Sequence, residues 1–265
     1  MSRIAHNRER WVTVLAGGDS RRRRAVRGTR TLLQQTLDQA RLAVRPARCV
    51  VSLDRDHLKR RAQLEGYGDV RLSIQPTDAG TGAATLVAAA RIARECPEAT
   101  IAVMPGDLRQ DDVPLIDHLR EAASWVERHP TGIVVLGVPM RRGEVGGGWL
   151  LPRARPDACK GPLPASLFEA PHPVLAAALR QGGAWASTRV AVFSAPTLLA
   201  LAAALAPQWW QALVEHPWAD EQSLADAYAT LPALDLSRDL LCRAWGHVYM
   251  LPVAEPAKPG RRVLR

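Results

Sequence analysis

Lysine is nearly missing from this chain. Lys59, Lys160 and Lys258 are the only three among 35 basic residues, so the net charge of +9 rests almost wholly on arginine. Together with abundant alanine, that bias reads as a trace of base composition, since surface charge speaks to association and not to fold. Aromatic residues are also scarce, at 5%. Outside Arg21–Arg24 the basic residues are dispersed, and no nucleic-acid-binding motif is present, so nucleic acid is not expected as a partner. Cysteine is present only as Cys49, Cys96, Cys159 and Cys242, each standing alone. Without a C-x-x-C pair or a partnered histidine spacing, structural zinc and a disulfide framework are both excluded. The N-terminal MSRIAHNRERW has no apolar run behind its charges, so neither a signal peptide nor a membrane anchor is expected. The expectation is a cytoplasmic protein without membrane contact.

What is present is ordinary globular material: 265 residues, 47% of them hydrophobic, enough for a sizeable core. Short apolar runs at Trp11–Ala16, Arg48–Leu53, Arg71–Gln75, Thr100–Pro105 and Thr131–Val138 read as strands. Between them, Thr31–Val44, Asp54–Glu65, Gly80–Arg94 and Val113–Arg128 read as helices, the first with Thr31 as a cap. This alternation predicts an α/β fold, a Rossmann-like, doubly wound and mostly parallel sheet with helices on both faces. The second half is less regular. Trp149–Pro152, Trp185–Phe193 and His247–Pro252 read as strands, Arg153–Pro164 as a proline-rich loop, Val174–Arg180 as a short helix and Pro196–Thr230 as several helices. One domain is expected over 1–253, followed by a polar tail over 254–265. In such sheets ligands sit beyond the carboxyl ends of the strands. That directs attention to AGGDSRRRR, QPTDAGTG and MPGDLRQDD, each of which follows a strand.

The order of these motifs, continued by LFEAP, WASTRVAVF and LPALDLSRDLL, resembles the sugar-1-phosphate nucleotidyltransferases, and most closely the mannose-1-phosphate guanylyltransferases. The resemblance runs from about Trp11 to Pro252. It implies transfer of a nucleoside monophosphate from a nucleoside triphosphate, GTP favoured, to a hexose 1-phosphate, mannose 1-phosphate favoured. It further implies Mg²⁺ as cofactor. In that reaction a sugar-phosphate oxygen attacks the α-phosphorus and pyrophosphate leaves. The protein has mainly to hold two anions in line and spread the developing charge.

The resemblance assigns roles residue by residue. LAGGDSRRRR stands for the family's LAGGxGTRLxP, which places Leu15, Ala16, Gly17 and Gly18 in the nucleotide loop and makes Arg22 the charge-neutralising arginine. Ser20 and Arg21 replace the Gly-Thr pair. Gln75, Gly80 and Thr81 match residues that read the purine edge; a glutamine offers both a donor and an acceptor for that purpose. The plain structural alternative is a Gln-Pro closing a strand and a threonine capping a helix. Asp107, in MPGD, matches the metal-binding aspartate, with Leu108 where many members carry histidine. On the sugar side, Gly147 and Gly148 stand at the family's Tyr-Gly turn. Glu169 matches the glutamate near the sugar hydroxyls, and Ser187 the serine of Trp-Asn-Ser-Gly.

The departures are equally specific. The phosphate-binding lysine expected between the first loop and the first helix is absent. The lysine of Phe-x-Glu-Lys-Pro is Ala170, and the late Trp-x-Asp-x-Gly with its second metal aspartate is missing. Arg23, Arg24, Arg27, Arg30 and Lys160 are the cations at hand as substitutes; Asp19, Asp111, Asp112, Asp235 and Asp239 are the spare carboxylates. Two readings follow: an active nucleotidyltransferase, or a degenerate relative that binds nucleotide, sugar phosphate or a protein partner without turnover.

Overall fold

The computed structural model describes residues 9–17, 30–108, 115–140, 147–155, 161–215 and 221–253. Nine strands join in a single sheet ordered β3-β2-β1-β4-β8-β5-β9-β7-β6. They are β1 (Arg10–Leu15), β2 (Cys49–Asp54), β3 (Arg71–Gln75), β4 (Thr100–Pro105), β5 (Ile133–Val138), β6 (Gly148–Pro152), β7 (Leu163–Glu169), β8 (Trp185–Ser194) and β9 (Val248–Pro252). The α-helices are α1 (Leu32–Ala43), α2 (Gly80–Glu95), α3 (Leu115–Arg128), α4 (Pro173–Gln181), α5 (Ala195–Leu205), α6 (Pro207–Trp210) and α7 (Glu221–Thr230).

Strand alternation sorts most of the core into two clusters. Trp11, Ile101, Val103, Ile133, Val135, Ala191 and Phe193 point to one face, where α2 packs with α5, α6 and α7. Val12, Val14, Ala102, Met104, Val134, Leu136, Val190 and Val192 point to the other, under α1 and α3. Helix α1 begins as its sequence demands: the Gln34 N–H donates to Thr31 Oγ1 at 3.3 Å, and Gln34 Oε1 accepts from the Thr31 N–H at 3.0 Å. That reciprocal pair satisfies two of the open donors at a helix start. Helix α2 is buried on most sides, from Gly82 to Ala90 and at Ile92. Its alanines let it lie between the sheet and an outer layer of helices.

The expected mostly parallel sheet is found only in part. β1, β2, β3 and β4 are parallel neighbours, as are β5 and β9. β8 runs antiparallel to both β4 and β5, and β7 antiparallel to β6 and β9. Because β6 also pairs with β8, strands β8, β5, β9, β7 and β6 close into a small ring. The sheet is therefore mixed. Apolar runs mark strands but carry no direction. β7 also replaces the expected loop around Pro164, and a 3₁₀ run over Arg55–Leu64 replaces the expected helix there. Two π-helical turns, Gln211–Glu215 and Leu236–Leu240, interrupt the C-terminal half. No helix among the described residues is long and apolar enough to cross a membrane. Positions 254–265, read as a tail, lie outside the described residues.

Candidate functional site

The topology brings one end of many strands together. β1, β2, β3 and β4 end on the same edge, and the antiparallel β8 begins there, with β5 ending beside it. At that edge the Gly106 N–H donates to the Leu15 carbonyl at 2.8 Å, and the Ala16 N–H to the Ser52 carbonyl at 2.8 Å. These bonds fix the start of the first glycine loop between β2 and β4. Gly17 follows against Asp54, a buried carboxylate at the end of β2; a Cβ on Gly17 would lie 2.9 Å from Asp54 Oδ2. Asp54 is a feature of this edge that the motifs did not single out. Gly18 and Arg22 lie outside the described residues, as do Asp19, Ser20, Arg21, Arg23, Arg24, Arg27, Asp111, Asp112 and Lys160. Arg30, the remaining substitute cation, is bound to Asp38.

On the β3 side, Gln75 is buried at 3% exposure. Its Nε2 donates to Ser52 Oγ at 3.1 Å, and its Oε1 accepts from the Tyr228 hydroxyl at 2.8 Å. Burial lifts the Tyr228 hydroxyl above the ordinary tyrosine range, so it stays a donor. The amide thus ties β3 to β2 and to α7. Gly80 and Thr81 open α2, but a later segment is docked on them. Gly80 has φ +93°, and a Cβ there would lie 2.5 Å from the Leu234 carbonyl oxygen, so only glycine fits. The Gly82 N–H donates to that same carbonyl at 2.8 Å. Thr81 Oγ1 donates to Asp235 Oδ2 at 3.1 Å and accepts from the Leu236 N–H at 3.0 Å. Thr81 does not cap α2; Ala79 holds the cap position, and the threonine anchors the chain that carries Asp235 and Asp239.

The residues that the resemblance matches to the sugar side do meet. Gly148 pairs with Glu169, and its neighbour Trp149 pairs with Ala186. A Cβ on Gly148 would lie 2.9 Å from Ser187 Cβ and 3.0 Å from Glu169 Oε2, so this glycine is needed for the close approach. Gly147, with φ +97°, accepts from the Ala170 N–H at 3.2 Å. Glu169 Oε2 is buried and has no hydrogen-bond partner among the described residues, while Oε1 accepts from Arg189 at 3.3 Å. Burial raises the Glu169 carboxyl above its usual range; Arg189 opposes that rise, Asp235 adds to it and Arg238 counters it. Burial also pushes the Cys242 thiol up to about 11, with the Glu169 charge adding to the rise, so this cysteine is not a thiolate at neutral pH.

Arg189 is a second residue the motifs missed. It sits where β8 bulges: Val135 pairs with Ala191 but Gly137 with Ser187, leaving extra residues on β8. The bulge is held by the Thr188 hydroxyl, which donates to the Leu136 carbonyl at 2.9 Å, and by Ser187 Oγ, which accepts from the Arg189 N–H at 3.0 Å. The available signal was an arginine directly before the apolar run Val190–Phe193 of that strand.

For a divalent cation the donor set is thin. Asp107 lies in the turn that closes β4 and is partly exposed. Among the described residues no three His, Cys, Asp or Glu side chains gather as a metal site. Asp235 and Asp239 are committed elsewhere: Asp235 accepts from Thr81 and from the Arg238 N–H, and Asp239 from Arg238 Nε at 3.0 Å. That bond holds the Asp239 carboxyl below its usual range. Of the carboxylates the motifs point to, Asp107 is the one matched to a cation at this edge, and Mg²⁺ is commonly bound through one or two carboxylates together with phosphates.

Two solved structures resemble this arrangement across nearly the whole chain. One is mannose-1-phosphate geranyltransferase from Thermus thermophilus, with a TM-score of 0.78 and 22% identity over 94% of this chain and 75% of that one. The other is mannose-6-phosphate isomerase from Helicobacter pylori, with a TM-score of 0.72 and 14% identity over 92% of this chain and 97% of that one. The chain shares their fold. No protein-family model and no curated protein matches it. At the level of the fold, the likeness agrees with the resemblance drawn from the LAGG, QPTDAGTG and MPGD motifs.

Proposed function

We propose that this protein is a nucleotidyltransferase that moves a nucleoside monophosphate, from GTP by preference, to a hexose 1-phosphate, mannose 1-phosphate by preference. The supporting observation is the cradle of Gly148, Ser187 and Glu169 at the carboxyl edge of the sheet. It presents a buried carboxylate oxygen without a partner among the described residues. A buried acceptor in that state is satisfied by a hydroxyl donor, which a sugar ring supplies.

In this reading the hexose lies on the ring formed by β5 to β9, with a hydroxyl donating to Glu169. The nucleotide lies over the start of the loop at Leu15, Ala16 and Gly17. One phosphate oxygen of the hexose phosphate forms a bond to the α-phosphorus. The bond from that phosphorus to the bridging oxygen breaks, and its electron pair leaves with pyrophosphate. No proton need be removed from the attacking oxygen, which is already ionised, so the work of the chain is positioning and charge neutralisation. Mg²⁺, held by Asp107, would supply charge neutralisation at the phosphates.

Binding of a sugar phosphate without turnover is favoured by a different observation. Gln75 and Thr81 are engaged by Ser52, Tyr228 and Asp235, so their polar groups are largely used inside the protein. The two readings separate in one assay. With GTP, mannose 1-phosphate and Mg²⁺, an active enzyme releases pyrophosphate, and Asp107→Ala abolishes the release. Binding of mannose 1-phosphate without any pyrophosphate decides for the second reading. Release that survives Asp107→Ala unchanged rules out the site described above.

A further inference from the structure

Among the described residues only Ala170 and Arg189 have positive φ without being glycine, at 44° and 62°. Both flank Glu169, one by sequence and one by contact. Backbone held in this sparsely populated region concentrates at ligand sites, where surrounding structure maintains it. Here the maintaining bonds are visible: Ser187 Oγ and the Thr188 hydroxyl lock the bulge, and the Gly147 carbonyl holds Ala170.

The side chain this geometry presents is a cation with unused capacity. The Arg189 side chain is 57% exposed, and among the described residues its one side-chain hydrogen bond, 3.3 Å to Glu169 Oε1, takes one of five guanidinium donors. Next to it, Glu169 Oε2 lacks a donor among the described residues. Arg238, by contrast, grips Asp239 through both Nε and a terminal nitrogen, at 3.0 and 3.3 Å. A guanidinium seeking an anion beside a carboxylate seeking a hydroxyl describes one ligand class, a hydroxylated phosphomonoester. Guanidinium suits phosphate because it meets two oxygens with parallel N–H donors.

The geometry points to Arg189 as the phosphate-binding residue of the sugar-phosphate site, supplying the positive charge that Ala170 cannot. This assignment rests on the nucleotidyltransferase reading for the identity of the ligand, and it makes the β8 bulge the device that aims the guanidinium. Glu169 then takes a ring hydroxyl while Arg189 takes the phosphate.

Calorimetric titration of the full chain with mannose 1-phosphate tests it, using wild type, Arg189→Gly and Arg189→Lys. Glycine adopts φ 62° without strain, so Arg189→Gly is expected to keep or raise the melting temperature. It should nonetheless weaken mannose 1-phosphate binding by about ten- to a hundredfold, the range for a lost charge-assisted hydrogen bond. Arg189→Lys should recover part of the loss, and added salt should weaken the wild type more than Arg189→Gly. Should Arg189→Gly fail to fold, Arg189→Gln, which keeps length without charge, decides in the same way. Unchanged affinity in the uncharged variants overturns the role of Arg189 and leaves the sugar-phosphate reading intact. Absence of binding to the wild type, for mannose 1-phosphate and glucose 1-phosphate alike, overturns both.

Discussion

Replacing Gly148 by alanine tests the cradle at its tightest point. The added methyl would lie 2.9 Å from Ser187 Cβ and 3.0 Å from Glu169 Oε2. The Glu169 oxygen ends a side chain and can swing a little. Ser187 Cβ cannot, because β8 is pinned on both sides of it through the pairs Gly137 with Ser187 and Trp149 with Ala186. Overpacking of this kind costs about 1–3 kcal/mol. In a chain of this size each kcal/mol lowers the melting temperature by about 2–4 °C. Thermal unfolding should therefore show Gly148→Ala melting several degrees early. The double variant Gly148→Ala with Ser187→Gly removes the clashing carbon, so it should lose less than the sum of the single changes, with a coupling of about 0.5–3 kcal/mol. Mannose 1-phosphate binding should fall in Gly148→Ala, because the methyl covers Glu169 Oε2. Strict additivity of the two substitutions, with an unshifted melting temperature in Gly148→Ala, would refute the close contact on which the cradle depends.

Further outcomes follow from neighbouring contacts. Tyr228→Phe leaves the buried Gln75 carbonyl without its donor and should destabilise the chain by about 1–3 kcal/mol in urea unfolding; an unchanged midpoint contradicts the bond. Gly80→Ala forces a side chain into φ +93° and against the Leu234 carbonyl, and should cost at least as much, read as an early melt with the 234–239 segment loosened in hydrogen exchange. The Glu169 carboxyl is raised by burial, so the folded state holds its proton more tightly than the unfolded state. Its contribution is therefore fully present below the unfolded value and is lost as pH rises through the folded one. Compared with Glu169→Gln, the wild type should lose relative stability as pH rises above the ordinary glutamate value of about 4; a melting-temperature difference that stays flat above that value contradicts the assignment.

Much of the fold was legible because local chemistry and final structure agree. Arg71–Gln75 and Thr100–Pro105 are strands at the bounds their apolar runs indicate, and Thr31 caps α1 as its spacing with Gln34 requires. β7 was hidden by Pro164. A proline argues against a central strand, although Leu163, Ala165 and Leu167 alternate inward as a strand should. The closing of the ring through β6 and β8 left no local trace, since periodicity gives a strand but neither its direction nor its partner.

The site was legible to differing degrees. Gly147, Gly148, Glu169 and Ser187 lie together because two strand pairings bring LFEAP and WASTRV alongside the glycines. Gln75 and Thr81 lie at the right edge, but Tyr228 and Asp235 occupy them through contacts far apart in sequence, which no spacing rule reveals. Arg189 went unnoticed because its importance comes from the bulge, and two hydroxyls in the finished strand make that bulge.

The central claim is that this chain joins a nucleotide to a sugar phosphate. Incubation with GTP labelled at its α-phosphate, together with mannose 1-phosphate and Mg²⁺, tests it most directly. If the proposed transfer takes place, label moves into a nucleotide sugar and pyrophosphate accumulates in equal amount. The claim is contradicted if the label stays in GTP with every hexose 1-phosphate and nucleoside triphosphate supplied, while the protein is folded and binds the sugar phosphate.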